Sequence, residues 1–128
     1  MKQYRNPPDV HPPVAGYTHQ IEITGAERLL ILSGQIGRNP DGSVPEDPVE
    51  QLRVAFENLE RNLRHAGMDL SDVVKLTLYL VGEMDPGQRG EVIASSLGEH
   101  KPCMTLVYVA ALGSPPYRVE LDAWASRA

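Results

Sequence analysis

At 128 residues, the chain has room for one ordinary domain with a sizeable core, and we treat residues 1–128 as that domain. A net charge of −5, with Lys and Arg scattered, argues against a nucleic-acid partner, because phosphate contacts need clustered positive charge. The lone Cys103 excludes an intramolecular disulfide, and no apolar run approaches the roughly 20 residues of a membrane span. We therefore expect a cytoplasmic protein with no membrane association.

The N-terminal part of the chain predicts an extended arm followed by two strands. Residues 6–13 contain four prolines, which favour extended backbone. Residues 14–23 alternate between apolar and polar, as a half-buried strand does. Residues 28–36 are almost continuously apolar, which predicts burial on both faces. The three residues 25–27 are short enough for a turn, so we expect these two strands to pair as a hairpin.

A helix is predicted after a loop that covers residues 37–47. Asp47 can cap its N-terminus, Pro48 suits the first helical position, and Glu50 can complete a capping box. Gly67 is the expected end. One face carries an apolar stripe at helical spacing, formed by Leu52, Ala55, Phe56, Leu59 and Leu63.

The second half predicts one more helix and three strands. Strands are expected at residues 72–81, 103–112 and 117–126, and a second helix at residues 85–97. The order β-β-α-β-α-β-β indicates an α+β fold, with a mixed sheet and both helices on one of its faces.

Two helices leave the other face of such a sheet uncovered. Its predicted residues are polar and aromatic, which suits a subunit interface better than bare solvent. They are Lys75, Thr77, Tyr79, Tyr108, Glu120, Asp122 and Trp124. We therefore expect an oligomer whose ligand pockets lie where subunits meet.

Few residues suggest chemistry on their own. The four histidines are dispersed, so no metal site is predicted, and no motif indicates a cofactor. Gly34 lies near the end of a strand, where glycine either lets a ligand approach the backbone or forms a bulge. Ser33 lacks the pattern of a nucleophile elbow. A buried Glu120 could position or protonate a water molecule, or it could simply pair with Arg118 or a lysine.

A set of ordered segments resembles the reactive intermediate deaminase family, RidA/YjgF. They are residues 33–36 before the Pro/Asp/Gly loop, residues 72–77 after the first helix, and residues 119–123 near the end. The resemblance covers essentially the whole chain. It implies a chorismate-mutase-like fold and a homotrimer with three clefts between subunits. In active members, those clefts hydrolyse enamines and imines such as 2-aminoacrylate to 2-oxo acids and ammonia.

The family's functional residues transfer unevenly. Tyr17 matches the cleft aromatic residue, Gly34 the cleft glycine, and Glu120 the acid proposed to orient water. Met104 replaces the arginine that binds the substrate carboxylate, and a thioether offers no such ion pair. Glu91 stands in the place of the family's asparagine on the second helix. The remaining ligand-binding candidates are Ser33 and Thr105.

Two functions from different classes fit these residues. One is a divergent enzyme that activates water with Glu120 in the same cleft, without the standard 2-aminoacrylate deaminase activity. Its substrate would be neutral or cationic, unless another arginine supplies the missing positive charge. The candidates are Arg38, Arg89 and Arg118. The other is a regulatory or metabolite-binding trimer with no turnover. The ribonuclease activity of some relatives fits the acidic charge least.

Overall fold

All 128 residues are described by the computed structural model, which has six strands and two long helices. The strands are β1 (Lys2–Arg5), β2 (Gln20–Ile23), β3 (Arg28–Ile36), β4 (Val73–Leu80), β5 (Cys103–Tyr108) and β6 (Val119–Arg127). The helices are α1 (Pro48–His65) and α2 (Pro86–Leu97), with a short 3₁₀ turn at Leu70–Asp72. The predicted α+β class with a mixed sheet is confirmed.

The main sheet has four strands in the order β3-β6-β4-β5. β6 pairs antiparallel with both β3 and β4, whereas β4 and β5 are parallel. Because parallel strands need a crossover, α2 connects β4 to β5. This topology leaves β3 and β5 as the two edges, three strand spacings or about 14 Å apart.

The hydrophobic core lies between the two helices and one face of this sheet. The predicted α1 stripe is buried, and β6 contributes Val119, Leu121, Ala123 and Ala125, each 0 % exposed. Asp47 caps α1 by accepting a hydrogen bond from the Val49 N–H at 3.2 Å. The predicted capping box does not form, because the Glu50 carboxylate pairs with Arg53 instead.

The N-terminal strands differ from the prediction. β2 pairs antiparallel with β1, a strand that the sequence analysis did not find, so the predicted hairpin of β2 with β3 is wrong. β2 also begins at Gln20, not at Val14. The physical reason lies in Thr18, whose hydroxyl donates to the Lys101 carbonyl at 2.6 Å and whose N–H donates to the Pro102 carbonyl at 3.2 Å. These bonds hold the approach to β2 at the start of β5, away from β3.

The second face of the sheet is uncovered, as predicted. Leu29 and Ile31 of β3 are 57 % and 61 % exposed, and Trp124 of β6 is 46 % exposed. In a single copy of the chain, therefore, β3 is not buried on both faces, and that prediction is wrong. Tyr108 was also assigned to the wrong face. It pairs in register with buried Leu80, which places it on the helix side of β5.

Neither helix is long and apolar enough to cross a membrane.

Candidate functional site

Gly34 and Glu120 meet at a bulge on the open face of the sheet. The pairing of β3 with β6 shifts register between Leu32 and Gln35. A Cβ atom placed on Gly34 would lie 1.9 Å from Glu120 Oε2 and 2.6 Å from Cδ. Only glycine allows the carboxylate to lie this close to the β3 backbone. The bulge predicted as one explanation of Gly34 is therefore present, and the side chain of Glu120 occupies the space above this glycine.

The side chain of Glu120 is partly buried, yet it makes no hydrogen bond and no ion pair within the chain. The pairing with Arg118 or a lysine, considered in the sequence analysis, is absent. Next to it, the Tyr79 hydroxyl donates to Asp122 Oδ2 at 2.9 Å. This bond raises the pKa of Tyr79, with smaller contributions from burial and from the charges of Asp122 and Glu120. Glu120 thus keeps both carboxylate oxygens available.

A groove of ≈ 520 Å³ runs along the other side of the sheet, between α2 and the edge strand β5. Its lining consists of Ala15, Gly16, Tyr17, Pro86, Arg89, Gly90, Ile93, Ala94, Leu97, Gly98, His100, Lys101, Met104 and Leu106. The middle is apolar. The lining includes three basic side chains and no acidic one.

Tyr17 and Met104 share this groove. The two hydrogen bonds of Thr18 to the start of β5 bring Tyr17 there, and the Val14 N–H donates to the Tyr17 hydroxyl at 3.3 Å. Met104 pairs in register with buried Leu76, so its thioether points to the helix side and lines the groove.

The other predicted site residues lie elsewhere. Glu91 lies in a separate hollow between α1 and α2, beside Glu50 and Arg53, so it does not face Met104 within one chain. Thr105 points to the open face, where its hydroxyl accepts a hydrogen bond from Lys75 Nζ at 2.7 Å. Ser33 is exposed beside the bulge on the β3 edge. One chain thus separates the predicted residues into the β3 edge, the groove at β5 and the hollow between α1 and α2.

The three candidate arginines are separated by the structure. Arg38 donates to the Tyr117 hydroxyl at 3.0 Å, and the guanidinium of Arg118 lies near Gly82. Only Arg89 lines the groove with Met104. The sequence analysis missed the groove's other basic residues, His100 and Lys101. A usable signal was the spacing along α2, where residues 86, 89, 90, 93, 94 and 97 share one helical face.

No group of three His, Cys, Asp or Glu side chains is arranged to hold a metal ion. His19 packs edge-on against His11 and Tyr17, with ring centroids 5.1 Å and 5.3 Å apart. Cys103 is partly buried, and this burial raises the pKa of its thiol, which lowers its reactivity.

Comparison with known proteins decides the family. A family model described as Endoribonuclease L-PSP matches residues 9–127. The chain belongs to this family. Its relatives carry RidA, RutC and YjgF names, so the resemblance to the RidA/YjgF family is confirmed.

Three relatives show the range of the match. The chain is 33 % identical over 114 residues to the 2-iminobutanoate/2-iminopropanoate deaminase of Mus musculus, covering 86 % of this chain and 80 % of the relative. The Rid family protein YyfB of Yersinia pestis, of unknown function, superposes with a TM-score of 0.86 at 27 % identity, covering 98 % of both chains. Escherichia coli TdcF, solved with bound serine, superposes with a TM-score of 0.73 at 28 % identity, covering 93 % and 91 %. This RidA/YjgF chain therefore has family-level support for a function related to imine deamination.

Proposed function

We propose that this RidA/YjgF chain is a divergent imine or enamine hydrolase, which works in a cleft between the subunits of a homotrimer. The observation that carries the proposal is the Glu120 carboxylate, which lies over Gly34 without a partner of its own. An unpaired, half-buried carboxylate beside exposed backbone can hold a water molecule and take its proton. The name of the mouse relative supports the imine substrate class.

The separation of the site residues supports the location between subunits. Gly34 lies on edge strand β3 and faces the open side, whereas Met104 lies on edge strand β5 and faces the helix side. These edges are about 14 Å apart in one chain. When the β3 edge of one copy docks against the β5 edge of the next, the two halves become neighbours. The exposed Leu29, Ile31 and Trp124 supply apolar surface for that contact.

The proposed reaction needs only water. The water oxygen forms a bond to the imine carbon while the C=N π pair moves to nitrogen, and Glu120 takes the water proton. Glu120 then returns this proton to the nitrogen of the resulting amino alcohol. Glu120 next carries the proton of the new hydroxyl group to the same nitrogen, the C–N bond breaks, ammonia leaves, and the oxygen lone pair forms the carbonyl group. An enamine enters the same sequence after it isomerises to its imine.

Met104 sets this chain apart from relatives that hold a carboxylate with arginine at that position. Because a thioether cannot pair with a carboxylate, we expect turnover of 2-aminoacrylate to be weak or absent. The alternative function, a metabolite-binding trimer with no turnover, differs only in the fate of the ligand.

The experiment is a semicarbazide competition assay on a panel of imines. An amino-acid oxidase generates each imine in place, semicarbazide traps it as an absorbing semicarbazone, and a hydrolase slows that trapping. We expect slower trapping with at least one imine, and loss of the effect in Glu120→Gln. If no member of the panel is hydrolysed, the non-catalytic alternative stands. If Glu120→Gln retains full activity, the role of Glu120 is wrong.

A further inference from the structure

We infer that Arg89 replaces the missing arginine as the anion anchor, and that the α2–β5 groove binds a carboxylate with an apolar body longer than three carbons. The inference deepens the proposed function, because it names the ligand class of the same groove. It concerns binding and does not depend on turnover.

Arg89 is an arginine without an acidic partner. It is partly buried and forms no salt bridge, and its one side-chain hydrogen bond runs from Nη1 to the Tyr108 hydroxyl at 2.8 Å. A guanidinium has five N–H donors, so the remaining donors are available to a bidentate carboxylate. Tyr108 itself lines the neighbouring hollow, so its hydroxyl holds Arg89 in place from outside the groove.

The electrostatics of the groove favour an anion. Arg89, His100 and Lys101 line it with no acidic side chain, although the whole chain carries −5. Two acids, Glu83 and Asp85, line the neighbouring hollow together with Tyr108. The Asp85 carboxylate accepts from the Gln88 N–H at 2.8 Å, as the cap of α2, and is thus turned to its own helix.

The shape of the groove favours a longer ligand. Met104 and Tyr108 lie four residues apart on the same face of β5, which separates their Cα atoms by about 13 Å. Because Arg89 is hydrogen-bonded to Tyr108, an anion held by Arg89 lies well along the strand from Met104 and Tyr17. Ile93, Leu97 and Leu106 provide apolar surface between these points. A volume of ≈ 520 Å³ is within the range of sites for drug-sized ligands and leaves a three-carbon acid largely surrounded by water.

The test is calorimetric titration of the intact protein with stable probes. 3-Phenylpropanoate is the long acid, 3-phenylpropanamide is its uncharged match, and propanoate is the short acid. We expect the long acid to bind roughly 10- to 150-fold more tightly than the amide, the range of a charge-assisted hydrogen bond. Propanoate should bind more weakly than 3-phenylpropanoate. Equal binding of the acid and the amide to the wild type would overturn the inference without any variant.

Variants locate the carboxylate. Arg89→Met should reduce binding of the acid to the level of the amide, and Arg89→Lys, which keeps the charge in place, should lie between. Arg118→Met is the matched control, since Arg118 is also free of ion pairs but lies outside the groove. Unchanged acid binding in folded Arg89→Met, or a larger loss in Lys101→Met, would overturn the assignment. If Arg89→Met fails to fold, undiminished binding of 3-phenylpropanoate by both single variants, Arg89→Lys and Tyr108→Phe, would overturn the assignment instead.

The outcome is separable from that of the proposed function. Tight binding without imine hydrolysis would refute the enzyme and leave the anion anchor intact. Hydrolysis without any preference for the acid would do the reverse.

Discussion

Replacing Gly34 by alanine tests the candidate catalytic contact with a single methyl group. The new Cβ would lie 1.9 Å from Glu120 Oε2, 2.6 Å from Cδ and 2.8 Å from Cγ. Ordinary carbon contacts are about 3.5–4.0 Å, so the carboxylate must move by roughly 1.5–2 Å. A displacement of about 1 Å in a reacting group can lower the rate by roughly 100-fold. We therefore expect Gly34→Ala to lose at least that factor in imine hydrolysis.

The same substitution should leave the protein folded. The three atoms nearest the new methyl group all belong to the flexible Glu120 side chain, and Gly34 does not need a positive φ. Overpacking of this kind costs about 1–3 kcal/mol in the free energy of unfolding. Urea denaturation of the variant, followed by circular dichroism, measures this cost.

Two other glycines provide matched controls. A Cβ on Gly37 would lie 2.6 Å from the backbone of Gln51, in the first turns of α1, so Gly37→Ala should lower stability more than Gly34→Ala does. Gly113 has open space around its Cβ position, so Gly113→Ala should alter neither stability nor turnover. Full hydrolytic activity in folded Gly34→Ala would refute the reasoning that places Glu120 at the reacting centre.

Four further predictions follow from individual residues. Light scattering at micromolar concentration should give the mass of a trimer, and Trp124→Glu on the open face should shift it to the monomer. The wild type should hydrolyse 2-aminoacrylate far more slowly than relatives with arginine at position 104, as measured by semicarbazide trapping. Met104→Arg should strengthen pyruvate binding by roughly 10- to 150-fold in calorimetry, and Glu91 should not blunt this gain because it faces α1. Burial opposes ionisation of Asp72, but the hydrogen bond from Arg127 and the charge of that residue hold the Asp72 pKa below its usual value. The ionised carboxylate therefore stabilises the fold above the unfolded pKa of about 3.9, and this stabilisation is lost as the pH falls further. Asp72→Asn should make the urea midpoint less dependent on pH in that acidic range.

The elements with strong local signals were predictable from sequence. α1 begins after Asp47 and ends before Gly67 because a cap, a first-turn proline and a positive-φ glycine mark its limits. The period of two in β6 correctly separated the buried Val119 face from the Glu120 face. Both signals are contained within a few neighbouring residues.

The pairing of strands depends on distant contacts, and there the sequence was insufficient. β1 has only four residues, and its pairing with β2 depends on hydrogen bonds from Thr18 to the start of β5, more than 80 positions away. The face of Tyr108 was misassigned because β5 has apolar residues on both faces and so carries little phase information. Its parallel register with β4 decides the matter.

The candidate site was also predictable only in part, because its arrangement depends on contacts between residues that are distant in sequence. Gly34 and Glu120 were each identified separately, but only the bulge in β3 shows that the carboxylate lies over the glycine. The sequence did not show that Glu91 and Met104 line different hollows, because a helix without a strong apolar stripe does not fix which side faces β5. Among the candidate arginines, the choice of Arg89 required the groove itself.

The most direct test of a site shared between subunits is subunit mixing. Glu120→Gln removes the acid, and Ala94→Trp fills the groove, so each pure trimer should be inactive in the imine assay. The two variants are then unfolded, mixed 1:1 and refolded. A site is intact where an Ala94→Trp copy supplies Glu120 and the adjacent Glu120→Gln copy supplies an open groove. Random assembly places this combination at about one site in four. The account predicts recovery of about a quarter of wild-type turnover. Mixed trimers that remain inactive would contradict it.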